Sequence, residues 1–199
     1  MLNILNKGYQ DILELFYEDK TSIYLREIAK RTKLNENSVF RFLIKLEKDN
    51  ILTSEKRGNM KFFSMKNNKK TYSILTFFDI QRYEKLPSIR KTAIETYLNH
   101  LPKQPVFVIL FGSTAKNTFK NDSDVDLLII TNEKIKTDKA EDNAAAQSAL
   151  KVSTFQMIYG DFIKEIKLKD DMVVQSALKT GYPLINHIKY YEELQNAKI

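Results

Sequence analysis

The sequence predicts an α/β (α+β) chain in two parts joined through helix, and three observations predict it. The first third runs through amphipathic helical segments and ends in a short basic hairpin pattern. The second half holds two unbroken apolar runs of strand type, "VFVILF" at 106–111 and "VDLLII" at 125–130. Helix-forming stretches lie between and after those runs, among them the Ala-rich "EDNAAAQSAL" at 141–150. No Gly/Ser-rich linker and no internal repeat separates the two parts.

The bulk composition narrows the classes. A chain of 199 residues suits one large domain or two small ones. Its 43% hydrophobic and 29% charged residues are those of an ordinary globular protein. With no cysteine, disulfides, thiolate metal sites and cysteine nucleophiles are excluded together. His100 and His187 are the two histidines and lie far apart, which argues against a histidine zinc site or a Ser-His-Asp triad. No apolar run approaches the roughly 20 residues of a membrane helix. The start, "MLNILNKGYQDILELFYEDK", turns acidic within its first helix without a signal-peptide pattern, so a cytoplasmic protein is expected.

Charge is unevenly spread. The net charge is +7 and the pI about 9.3. Residues 1–70 carry 15 Lys+Arg against 9 Asp+Glu, while residues 71–199 carry 17 against 16. The basic excess belongs to the first third, as expected of a nucleic-acid-facing segment beside a near-neutral one.

In that first third, residues 8–19 predict a helix with Ile12, Leu13, Leu15 and Phe16 as its apolar stripe. "YLREIAKRTKL" at 24–34 reads as a short helix and a turn. Asn35 or Asn37 can cap the next helix by accepting a bond from a free first-turn N–H. Val39, Leu43 and Leu46 form its core seam, and Ser38, Arg41, Lys45 and Lys48 lie mostly off it. Phe40 and Phe42 interrupt the polar face, as core residues or as a dimer or partner surface. "ILTSEKRGNMKFFSM" at 51–65 reads as two strands around a turn at Arg57-Gly58-Asn59.

Three helices followed by a basic hairpin resemble a winged helix-turn-helix domain, here over 1–70. That resemblance implies a third helix in the major groove of duplex DNA and a wing on the backbone. It places Ser38 and Arg41 at the DNA, with Arg41 at base edges, and Lys45, Lys48, Lys56, Arg57 and Lys61 at phosphates. Winged helices also serve as protein–protein modules, and a positive face is often only solvated.

Residues 71–86, "TYSILTFFDIQRYEKL", predict an amphipathic helical joint with Ile74, Leu75, Phe78 and Tyr83 roughly on one side. Such a joint is expected to hold the parts in a preferred pose. Pro87 suits the first turn of the next helix, about 88–100, which ends before Pro102 and Pro105.

The chemistry gathers at "FGSTAKNTFKNDSDVDLLII", 111–130. The first strand runs straight into Gly112-Ser113. Glycine permits close approach of a ligand to the backbone. Ser113 can cap the following helix, whose free N–H groups suit a phosphate. Asp124 and Asp126 are one residue apart, so an extended chain points both to the same face. Two such carboxylates can share a divalent cation; magnesium takes one or two carboxylates and leaves its other positions to phosphate and water.

A Gly-Ser pair, ten residues, then Asp-x-Asp and an apolar run resemble the DNA polymerase beta-type nucleotidyltransferase superfamily, closest in style to its minimal members. Their pattern reads G-S-x-A-x-G, a variable loop, then S-D-x-D-L. Gly112, Ser113, Ala115, Ser123, Asp124, Asp126 and Leu127 match it. The resemblance covers roughly 88–199, within a domain taken as 87–199, and implies a small mixed sheet flanked by helices. Asn117 stands where the second glycine would be, and asparagine is the next-best residue for a left-handed backbone. The family often adds a third carboxylate on a later strand. The strand expected at 151–159 has no acid; Gln156 is the candidate for that place, and Asp161 follows late. The tail, "LKDDMVVQSALKTGYPLINHIKYYEEL", reads as a helix, a turn at Gly181, an apolar segment at Pro183-Leu184-Ile185 and a last helix, as minimal members often end.

The resemblance implies Mg2+-dependent transfer of a nucleoside monophosphate from an NTP such as ATP to an acceptor. Gly112, Ser113 and Lys116 would hold the nucleotide, and Asp124 and Asp126 the metal. The acceptor is open: a partner protein, a nucleic-acid end or a small molecule. Some members of that family are antitoxins that nucleotidylate a toxin, so a toxin partner is one expectation. The alternative is a DNA-binding regulator or antitoxin whose nucleotidyltransferase fold has lost catalysis, and a third is a protein-interaction scaffold.

Overall fold

The computed structural model describes residues 6–19 and 21–197. Residues 1–5 and 20, part of the stretch read for a leader, lie outside the described residues. The chain divides into two compact units, Met1–Phe78 and Asp79–Ile199.

The first unit opens with helix α1 (Lys7–Asp19), strand β1 (Ile23–Tyr24), α2 (Leu25–Thr32) and α3 (Glu36–Lys48). Of the two candidate caps Asn35 takes the role, its side chain accepting from the Ser38 N–H at 2.8 Å. Strands β2 (Leu52–Arg57) and β3 (Met60–Met65) follow, closed by the two residues Gly58 and Asn59. Gly58 takes the positive φ of 59° that the tight turn requires. Strand β1 has no counterpart in the sequence reading, because two residues carry no period. It pairs antiparallel with β3, giving a three-stranded sheet in the order β1-β3-β2. Ile12, Leu13, Phe16, Val39, Leu43, Leu46 and Phe63 form the core of this unit. Helix α4 (Lys69–Glu84) follows, and the division between the units falls inside it.

The second unit continues with α5 (Ser88–Asn99), β4 (Phe107–Phe111), α6 (Gly112–Ala115), β5 (Val125–Thr131), α7 (Asp138–Ser148) and β6 (Val152–Ile158). Then come α8 (Tyr159–Leu168), α9 (Met172–Thr180), β7 (Tyr182–Ile185) and α10 (His187–Asn196). Pro87 stands one place before the helix rather than inside its first turn, as N-cap of α5 with φ −55° and ψ 144°. Its carbonyl accepts from the Arg90 and Lys91 N–H groups.

The four strands form one mixed sheet in the order β6-β5-β4-β7. β4 runs antiparallel to β5 and β7, and β5 runs parallel to β6. The continuous apolar runs are explained by burial on both faces. Val108, Leu110, Leu127 and Ile129 face Ala93, Ile94 and Tyr97 of α5 and Ala140 and Ala144 of α7. Phe107, Ile109, Leu128 and Ile130 face Phe162 and Ile166 of α8, Val174 and Ala177 of α9, and Tyr190 of α10. Among the described residues no helix is long and apolar enough to cross a membrane.

Candidate functional site

The site is built where β4 ends and β5 begins. Phe111, the last residue of β4, pairs with Asp126, the second residue of β5. Gly112 follows with a φ of +68°. A Cβ added to it would lie 2.0 Å from Asp126 Oδ2. Glycine is thus required twice over, by its left-handed backbone and by the carboxylate against its Cα. Ser113 does not cap the next helix, contrary to the expectation. It sits inside α6, whose N-cap is Phe111 with no side-chain cap bond. The helix is only a single turn: Lys116 is its C-cap, and Asn117 then turns left-handed at φ 54°. Asn117 therefore does what the second glycine of the motif would do.

Asp126 and Asp124 share a face by strand alternation. Asp126 is held above the usual carboxylate range, first by burial and then by the charge of Asp124, against the opposing pull of Arg90, Lys116 and Lys151. The Asp124 side chain is 38% exposed and has Lys151 Nζ at 3.4 Å. It also accepts from the Ser153 hydroxyl at 2.8 Å. Ser153 comes from β6, where it lies beside Asp126 in the parallel ladder.

That register corrects the expectation for Gln156. On β6 the residues sharing the face of Ser153 are Phe155 and Met157; Phe155 packs its ring 5.8 Å from Phe111 and Met157 packs on the Phe107–Ile130 side of the core. Gln156 points the other way and bonds both backbone groups of Ile135, each at 3.1 Å. Asp161 sits in the first turn of α8 with Lys164 at 3.1 Å. Neither supplies a third acid beside Asp124 and Asp126. Among the described residues no cluster of three or more His, Cys, Asp or Glu side chains is arranged to hold a metal ion. Two repelling carboxylates at a partly open strand end still match the donor set of a single magnesium ion, which needs only one or two carboxylates.

Sequence reading missed Arg90. It is 2% exposed and lies on α5. It donates to Thr114 Oγ1 at 2.8 Å, the Lys120 carbonyl at 2.8 Å and the Ser123 carbonyl at 3.1 Å. A signal was there: Arg90, Ala93, Ile94 and Tyr97 follow the i, i+3, i+4, i+7 spacing of a buried stripe, and a charge on such a stripe needs a partner. Ser153 and Lys151 had no such signal, because only the parallel pairing brings them to Asp124. Lys116 is exposed, just after α6.

In the first unit the predicted DNA-facing residues occupy α3 and the hairpin. Arg41 is exposed and its guanidinium donates to Ser38 Oγ at 3.3 Å. Lys48 and Lys56 are exposed. Lys45 is engaged by Asp49 at 3.3 Å and Lys61 by Glu47 at 3.0 Å, while Arg57 pairs with Glu55. Phe40 is 50% exposed on α3. Phe42 instead packs on Tyr9, ring centroids 4.5 Å apart, so the two phenylalanines divide between surface and core. The histidines take ordinary places: His100 meets the Thr96 carbonyl at 2.8 Å, and burial holds His187 below its usual value.

The sequence model of the nucleotidyltransferase domain family matches residues 91–190. No curated protein matches the chain. Among solved structures, AF1382 from Archaeoglobus fulgidus is 16% identical over 41% of this chain and 92% of its own, with a TM-score of 0.38. HmgR from Pseudomonas aeruginosa is 16% identical over 55% of this chain and 42% of its own, with a TM-score of 0.31. The archaeal chromatin protein TrmBL2 is 14% identical over 80% of this chain and 74% of its own, with a TM-score of 0.24. Scores this low carry no argument.

Proposed function

The chain belongs to the nucleotidyltransferase domain family, and from that premise we propose that it transfers a nucleoside monophosphate from an NTP to an acceptor with the help of Mg2+. The observation that carries this reading is the placement of Gly112 against Asp126. Because Gly112 has no Cβ, the Asp126 carboxylate can lie directly against the turn that starts the proposed phosphate-binding segment. Asp124 and Asp126 would hold the metal, which when bound neutralises charge on the phosphates. Gly112 lets the phosphates approach the backbone, Ser113 offers its hydroxyl, and Lys116 adds positive charge. Burial of Asp126 strengthens every electrostatic contact made there.

The first unit we read as a winged helix that binds duplex DNA, with α3 toward the major groove and the β2–β3 hairpin as the wing. Its support is the basic excess of residues 1–70 and the helix–helix–hairpin order. The acceptor we leave open among a partner protein such as a toxin, a nucleic-acid end and a small molecule, and the exposed Phe40 is offered as a partner or homodimer contact.

One observation favours a second reading, a DNA-binding regulator that senses NTP without transferring it. β6 brings Ser153, Phe155 and Met157, and no acid, to the face of the aspartate pair.

The test is a thermal-shift scan with each of the four NTPs, with and without Mg2+, on the wild type and D124A. A ligand at 100 times its Kd adds about 2.7 kcal/mol. A magnesium-dependent rise that disappears in D124A is expected. No rise with any NTP would sink both readings of the site. Label transfer from an α-labelled NTP, absent in D126N, then separates the enzyme from the sensor.

A further inference from the structure

Arg90 is a buried cation with no carboxylate at ion-pair distance among the described residues. Its three hydrogen bonds go to Thr114 Oγ1 and to the carbonyls of Lys120 and Ser123. Its guanidinium also stacks 3.9 Å above the Phe119 ring. Every one of these partners belongs to the segment between the glycine turn and the aspartate pair. Thr114 Oγ1 in turn donates to the Asp124 carbonyl at 3.3 Å. The Ser123 carbonyl that Arg90 holds is adjacent to Asp124 in the chain.

Burying a charge against neutral carbonyls is costly, and burial pulls Arg90 below its usual value although the charge of Asp126 opposes this. An apolar side chain would fill a core position more cheaply. The cost is understandable if the planar fork is needed for its geometry. Two carbonyls, a hydroxyl and a ring face are held at once, which an ammonium on a flexible stem cannot match.

We propose that Arg90 is a positioning residue that clamps loop 116–124 and thereby sets the placement of Ser113 and Lys116 relative to Asp124. The proposal rests on the nucleotidyl-transfer reading for its consequence, though not for the clamp itself. The guanidinium spans from α6 to the start of β5, so the loop cannot drift without breaking bonds at both ends. Lys116, Asn117, Thr118, Lys120, Asn121 and Asp122 are all exposed, and the backbone bonds of Lys116, Asn117 and Thr118 to Gly112, Thr114 and Ser113 hold only the start of the loop to the turn. Inside the loop, the Lys120 N–H bonds Ser123 Oγ at 2.9 Å, so the carbonyl pair that Arg90 grips is already a small turn.

The test uses the full chain as wild type, R90K and R90M. Amide hydrogen exchange is followed in loop 116–124 and in strands 107–111 and 125–131, and binding of each MgNTP is measured by calorimetry. In R90M, loop exchange should quicken on the order of tenfold or more while strand amides keep their protection, and MgNTP affinity should fall about as far. R90K, which keeps the charge but not the planar fork, should restore neither the slow loop exchange nor the affinity. Full rescue by lysine would show that charge alone is required and would overturn the clamp. Unchanged loop exchange in both variants would overturn it as well. A loosened loop that binds MgNTP as the wild type does would overturn the positioning role. Should R90M fail to fold, R90K decides alone. Absence of MgNTP binding in the wild type would refute the nucleotidyl reading instead, with loop exchange still judging the clamp.

Discussion

Replacing Gly112 by alanine should damage the site through two separable effects. The first is backbone strain: at φ +68° an L-residue costs about 1–2 kcal/mol. The second is collision, since the new Cβ would stand 2.0 Å from Asp126 Oδ2 and 2.9 Å from its Cγ. The carboxylate is the end of a short side chain on a paired strand, so it has little room to yield. Together the two effects should cost about 2–4 kcal/mol, the upper part from forced repacking. With roughly 2–4 °C per kcal/mol for a chain of this size, the melting temperature should drop by about 4–16 °C. A double-mutant cycle separates the parts. In a D126A background the carboxylate is gone and only the 3.2 Å approach to the residue-126 Cβ remains, so G112A should cost little beyond the strain. The coupling between the two positions should therefore be on the order of 1–2 kcal/mol, measured by urea unfolding. Additive effects within about 0.5 kcal/mol would refute the claim that the carboxylate lies against this glycine.

Two further outcomes test the first unit. Duplex DNA binding should weaken in R41A, K48A and K56A more than in K45A, because Asp49 already engages Lys45. Removing one lysine or arginine from a phosphate should lower the salt slope of log K by about 0.9; equal slopes in all variants would reject the assignment. Glu47 accepts from Ser54 and pairs with Lys61, and these hydrogen bonds hold its carboxyl below the usual range. A depressed folded pKa adds stability that is present above the ordinary carboxylate value and vanishes as pH falls through the folded one. E47Q should thus melt below the wild type at neutral pH, by less than about 1 kcal/mol for a partly exposed pair, and the gap should close in acid. A gap that widened in acid would contradict the sign.

Local patterns were legible wherever one short segment carries its own instruction. Asn35 caps α3 because a side chain three residues from a free N–H needs no distant partner. The runs at 106–111 and 125–130 announce strands buried on both faces, since nothing polar interrupts them. The Gly112-Ser113 and Asp124-x-Asp126 spacing pointed to the nucleotidyltransferase family, and the family match over 91–190 agrees with that. The length of α6 was not legible, because a single turn and a full helix begin with the same residues. Strand β1 was invisible for want of length.

The order of amino acids alone thus specifies most of the elements and the motif that marks the family, because hydrophobic period, caps and turn residues act over a few positions. Which side chains meet at that motif is a matter of tertiary packing. Parallel pairing of β6 on β5 puts Ser153 beside the aspartates and turns Gln156 away. Packing of α5 brings Arg90 to a loop 30 residues later in the chain. Strand register and helix docking are settled by burial of whole faces against one another, and a one-residue change of register would exchange those faces.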